Sequence, residues 1–173
     1  MKNKMFIISS LAGIMLAPSA FSADGQINFK GNIIDSACQV TNNMGNPLEV
    51  VLGDVARTAF SGKGATAAAT QFTLALTKCP ESVKTAAVKF DGVSVNGDSE
   101  VLALTTEAGV AEGVGIQLTD ASQKVVPLYT ASSPYTLNEG DNNLDFTARY
   151  IATEDTVKAG PANSTATFTI VYN

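Results

Sequence analysis

The chain has 173 residues, 45% of them hydrophobic and 16% charged, with 16 acidic against 11 basic side chains and no histidine. The acidic balance excludes a partner such as nucleic acid that is held through a basic surface. The missing histidine excludes Ser-His and Cys-His catalysis and a histidine-ligated zinc site.

In chain order, the first element is "MKNKMFIISSLAGIMLAPSAFSA". Lys2 and Lys4 give a basic start, an apolar run follows, and Ala20 and Ser22 are the small residues three before and one before a cleavage point. Residues 1–22 therefore read as an export signal cut after Ser22, or one residue later after Ala23. The apolar run, broken by Ser9, Ser10 and Pro18, falls short of the roughly 18 residues a membrane span needs. Cleavage takes 173 residues to 151 and 11 basic side chains to nine against 16 acidic ones, a net charge of −7 on one soluble, domain-sized chain. The two cysteines, Cys38 and Cys79, are an even number in an exported chain, which reads as a disulfide. A redox or metal pair is the competing reading, and their spacing is far from CxxC.

The next element is "GQINFKGNI", residues 25–33. Ile27, Phe29 and Ile33 share one face with Gly25 and Gly31, while Gln26, Asn28, Lys30 and Asn32 take the other, the two-residue period of a strand. Short strands are then expected at "LEVVLGDV", "QFTLALT", "AAVKF", "VLALT", "VGIQLTD", "KVVPLY" and "NLDFTARYI". Breaks such as "NNMGNP", "DGVSVNGD" and "NEGDNN" separate them. "SGKGATAAAT" is expected to be a loop leading into a strand, with alanines that also permit a helical turn. The last element, "AGPANSTATFTIVYN", sets Ala166, Phe168, Ile170 and Tyr172 against Thr165, Thr167, Thr169 and Val171. So many short strands in about 150 residues point to an all-β sandwich.

Both ends are unusual. A strand before the first cysteine sits where disorder is the default, and a half-apolar final strand has nothing after it to cover its edge. The plain alternatives are an ordinary first strand and an ordinary closing strand of a complete domain.

The patterns "FKGNIIDSACQV", "FTLALTKCP", "GVGIQLTDASQKVVPL", "NNLDFTARYIAT" and "AGPANSTATFTIVYN" together resemble the shaft subunits of type 1 fimbriae, the chaperone–usher pilins. The resemblance implies an incomplete immunoglobulin-like β-sandwich that lacks its seventh strand. It implies a donor strand carrying Gly25, Ile27, Phe29, Gly31 and Ile33 in residues 23–34, and a pilin domain over residues 35–173. It also implies a C-terminal groove and chaperone-recognition element made of Gly160, Ala166, Phe168, Ile170 and Tyr172. The implied partners are a periplasmic chaperone, an outer-membrane usher and neighbouring pilin subunits. No nucleic acid, membrane insertion, cofactor or metal is expected, and the destination is a fimbria on the cell surface. A minor adaptor or tip subunit that binds a glycan receptor is the alternative function.

Nothing in the sequence marks an enzyme. Carboxylates such as Asp54, Asp98, Asp120, Glu139 and Asp145 are scattered through turn-like or solvent-facing positions. "NGDSE" and "NEGDNN" do not match a calcium-binding EF-hand loop, and "SGKGA" lacks phosphate-loop spacing. Asn163 opens a glycosylation sequon that lies in the approach to the last strand.

Overall fold

A computed structural model of the chain describes residues 25–31, 33 and 37–172. The export signal and both cleavage points lie outside the described residues. The chain divides into two units, Met1–Ile33 and Ile34–Asn173. In the first, residues 25–31 and 33 have no regular secondary structure, although a strand is expected there. An extended segment becomes a strand only when a neighbour supplies ladder partners for its N–H and C=O groups.

Among the described residues, the regular structure of the second unit is all β apart from one turn of 3-10 helix at Arg57–Ala59. Its strands are β1 (Gln39–Val40), β2 (Thr66–Cys79), β3 (Thr85–Asp91), β4 (Ser94–Val95), β5 (Asp98–Leu102), β6 (Val114–Asp120), β7 (Tyr135–Thr136), β8 (Gly140–Ala152) and β9 (Thr167–Tyr172). One sheet has the order β1-β2-β8-β6-β5-β4 and the other β7-β3-β9, with every ladder antiparallel. The period of two places Leu74 and Leu76 of β2, Leu144, Phe146 and Ala148 of β8, and Ile116 and Leu118 of β6 in one core with Val88 and Phe90 of β3. Phe90 meets Phe146 edge to face across the layers, with ring centroids 5.1 Å apart.

Cys38 and Cys79 are joined across 41 residues of sequence. Closing a loop of that length stabilises the fold by about 4 kcal/mol through the unfolded chain's lost entropy.

Several expected strands differ. "LEVVLGDV" forms no ladder, although Val50, Leu52 and Val55 still pack against the core while Val51 is exposed. Its side chains alternate, but its main chain lies beside no strand in hydrogen-bonding register. "KVVPLY" pairs back on β6 only at its start, with Val125 bridged to Thr119 and Val126 N donating to Leu118 O, and then turns away while burying Val126 and Leu128; Pro127, with no N–H, cannot continue a ladder. The strand expected at "VLALT" lies earlier, in β5, because Asn96-Gly97 is a hairpin tip rather than a break, with φ of 49° and 82°. The two-residue β7 has no counterpart in the reading of the sequence.

Asp120 is neither exposed nor idle. It is 2% exposed, and its Oδ1 accepts hydrogen bonds from the Ser122 amide, the Ser122 hydroxyl and the Lys124 amide, closing the turn after β6. Burial alone raises the pKa of this carboxyl; bonds from the Ser122 and Ser133 hydroxyls and the Lys124 and Ser122 amides outweigh burial and bring it below the ordinary value.

Candidate functional site

Edges decide what a sheet protein can join. The six-stranded sheet ends on the two-residue strands β1 and β4, and the second sheet ends on the two-residue β7. The remaining edge is β9. It pairs with β3 through six registered positions from Ala86↔Tyr172 to Asp91↔Thr167, and no described strand flanks its other side. Alternate residues of β9 therefore point their N–H and C=O groups away from β3, toward an empty strand position.

The side chains of β9 alternate as the sequence suggests. Ala166, Phe168, Ile170 and Tyr172 are half-buried and pack on the core, whereas Thr165, Thr167, Thr169 and Val171 are exposed. None of the four inward residues is fully buried, so the core remains partly uncovered along this line. The unpaired segment carrying Val50, Leu52 and Val55 contributes half-buried apolar side chains to the same core.

Both ends of the edge are fixed by tyrosines. The Tyr172 hydroxyl donates to the Cys38 carbonyl at 3.5 Å, bringing the end of β9 to the disulfide. At the other end, the Tyr150 hydroxyl donates to the Ala162 carbonyl at 3.1 Å. Burial raises the pKa of both phenols, helped at Tyr150 by the negative charge of Asp54, so both remain neutral donors at physiological pH.

Residues 161–164 are strapped to the loop that follows β5. Thr105 N donates to Asn163 O at 2.7 Å, Ala111 N to Pro161 O at 2.9 Å and Ser164 Oγ to Ala103 O at 2.6 Å. Gly160 is the point of closest approach. A Cβ there would stand 2.7 Å from Ala111 N and 2.8 Å from Val110 C, and closer still to Gly109 O. Those obstacles are backbone and cannot swing away, so only glycine fits.

Beside Gly160, at the approach to β9, lies a cavity of about 500 Å³ lined by Val55, Phe60, Val114, Tyr150, Val157 and Ala162 among others. Asp54, Arg57, Lys158 and Asn163 are also on its lining, so its wall is mixed, apolar and polar.

The structure thus places Ala166, Phe168, Ile170 and Tyr172 on one line and Gly160 at its head. It leaves Ile27, Phe29 and Ile33 exposed by 78%, 91% and 104%. Gly25 and Gly31 have no atom within 4 Å of an added Cβ. The cavity and its lining from Val55 and Phe60 are not foreseen by the sequence, because the two walls are about a hundred residues apart. Among the described residues, no group of three or more acidic or cysteine side chains is placed to hold a metal ion.

Comparison with known proteins adds four likenesses. The family model described as Fimbrial protein matches residues 27–173. Long polar fimbria protein A of Salmonella typhimurium is 38% identical over 176 residues, covering 99% of this chain and 97% of that one. Among solved structures, an antigen and type I fimbria protein of Burkholderia pseudomallei is 39% identical with a TM-score of 0.60, over 84% of this chain and 96% of that one. The P pilus rod subunit shares the fold, with a TM-score of 0.65 at 22% identity, over 80% of this chain and 100% of that one.

Proposed function

This chain belongs to the fimbrial protein family and is a structural subunit of a surface pilus, and we propose that it polymerises by seating its residues 25–33 against β9 of a neighbouring copy. The observation that carries this reading is the uncovered edge of β9, with its half-buried apolar face and its unpaired main chain. The occupant it calls for is an extended segment with alternating apolar side chains, and residues 25–33 supply Ile27, Phe29 and Ile33 at that spacing.

Every ladder among the described residues is antiparallel, and an antiparallel donor runs from the Tyr172 end of β9 toward Ala166. Its last apolar residue, Ile33, then reaches toward the cavity beside Gly160. The contact is one in which each copy gives with one end and receives with another surface, so it does not close and produces a filament.

Before assembly the same apolar edge is an aggregation hazard. A periplasmic chaperone that covers β9, and an outer-membrane usher where the next copy replaces it, meet that need during export. The family is structural, and the chain is read as giving the fibre its links rather than any turnover of a substrate.

The test is a chain carrying Ile27→Asp and Phe29→Asp. Its sandwich, which contains neither residue, folds and is captured by the chaperone, but it is not passed on as a donor. Sheared surface material from the parent runs as a ladder on an unboiled denaturing gel; material from the variant gives none. A normal ladder from the variant overturns the assignment.

A further inference from the structure

Two exposed apolar side chains are anchored near the end of β3, Val93 two residues past it and Tyr129 through bonds to Phe90 and Gly92. Val93 is 73% exposed and Tyr129 54%. Tyr129 sits in the left-handed region at φ 65°, which a bulky residue enters only when its surroundings hold it there. Two bonds do so: its amide donates to Phe90 O at 2.7 Å and its hydroxyl to Gly92 O. The ring is therefore pinned at the Gly92 carbonyl, one residue before Val93 in the chain, with half its surface open. Of the four tyrosines it alone is exposed, since Tyr135, Tyr150 and Tyr172 are half-buried or buried.

The patch lies at the start of β9. Asp91 is registered with Thr167, and a Cβ on Gly92 would come within 3.8 Å of Ala166 Cα. An antiparallel donor strand leaves the groove at that end. In the donor copy, Cys38 follows Ile33 by five residues, which span about 17 Å at most. The body of the donor subunit is thereby confined to this pole of its acceptor. The part that leads is its own disulfide end, where Cys38, Cys79 and the Pro80–Ser82 turn lie together and Glu81 and Ser82 are exposed.

We propose that Val93 and Tyr129 form a second contact between consecutive subunits, covered in the fibre by the disulfide end of the copy whose strand fills the groove. This rests on the donor-strand reading above. A rigid aromatic with an aliphatic neighbour is the composition of an interface anchor, and a patch continuous with the groove is buried by the same partner. It would make the joint between subunits stiff, where a strand and a short linker alone would leave a swivel.

The experiment compares two forms of the unaltered chain: the subunit saturated with a synthetic peptide of residues 25–33, and assembled fibres. Tyrosines are nitrated with tetranitromethane and read residue by residue by mass spectrometry. Tyr129 is expected to react readily in the peptide-filled subunit and several-fold less in fibres; equal reaction in both overturns the proposal. A chain carrying Val93→Cys and Ser82→Cys identifies the covering copy through a short bis-maleimide. Cross-linked multimers that survive boiling and reduction are expected. Protection of Tyr129 without cross-linking assigns the cover to some other copy, and overturns the proposed pairing. If the donor-strand reading itself fails, the signature is different: the peptide does not bind and unboiled fibres give no ladder.

Discussion

Phe29→Ala in the donor segment is the most informative single truncation. Phe29 exposes 91% of its surface in the free chain, so nearly all of that area is available to be removed from water when the strand is seated. Burying a phenylalanine contributes about 1.5 to 3 kcal/mol by transfer alone. Cutting it back to alanine in a packed site costs about 3 to 5 kcal/mol once the cavity left behind is included. At about 1.4 kcal/mol per factor of ten, that is roughly two to three and a half decades of affinity. Most of this appears as faster dissociation. The assay is release of a labelled peptide of residues 25–33 from a chain whose own extension has been removed, chased with unlabelled parent peptide. Asn28→Ala, on the solvent face, is the control and should leave the rate almost unchanged. A Phe29→Ala peptide that leaves as slowly as the parent, or an Asn28→Ala peptide that leaves faster than Phe29→Ala, refutes the assignment of faces.

Two further outcomes follow from particular contacts. Gly160→Ala forces a Cβ into the backbone of residues 109–111, and overpacking against atoms that cannot rotate away costs about 1 to 3 kcal/mol or more. In a domain of this size each kcal/mol lowers the melting temperature by roughly 2 to 4 °C. A melt of the peptide-filled variant that matches the parent's contradicts the close approach. The carboxyl of Asp120 has a folded pKa below its ordinary value, so its stabilising contribution is present above the unfolded pKa of about 3.9 and is lost as pH falls through the folded one. Asp120→Asn keeps the shape and removes the charge. Its deficit in urea midpoint is therefore expected at about pH 7 and should shrink toward about pH 3; a deficit of the same size at both contradicts the sign.

The long strands were legible because one face of each is apolar and the period of two is unbroken, as in Phe72, Leu74 and Leu76 or Leu144, Phe146 and Ala148. The same signal misleads at "LEVVLGDV", where the alternation records burial against the core and says nothing about a main-chain neighbour. At "KVVPLY" the proline already carried the correction, since a missing N–H cannot sit in a ladder. The Asn96-Gly97 hairpin was readable in principle, because that dipeptide between short alternating runs marks a two-residue turn. The face of β9 and the position of Gly160 could be picked out along the chain, but the reason for Gly160 could not. It depends on the backbone of residues 109–111, which arrives from about fifty residues away. The cavity beside it is invisible for the same reason, and Asp120 looked like one more surface carboxylate because its burial depends on how the turn after β6 brings the Ser122 and Ser133 hydroxyls and the Ser122 and Lys124 amides onto it. The donor segment shows the reverse case, with alternation plain in the sequence and nothing in a single copy to turn it into a strand.

The central claim is that the second unit cannot cover its own core along β9. It is tested most directly by melting the chain lacking residues 1–34, alone and with a saturating peptide of residues 25–33. The account predicts a low, poorly cooperative transition with aggregation for the chain alone, and a sharp transition at much higher temperature with the peptide. One cooperative transition at the same temperature, with or without the peptide, contradicts it.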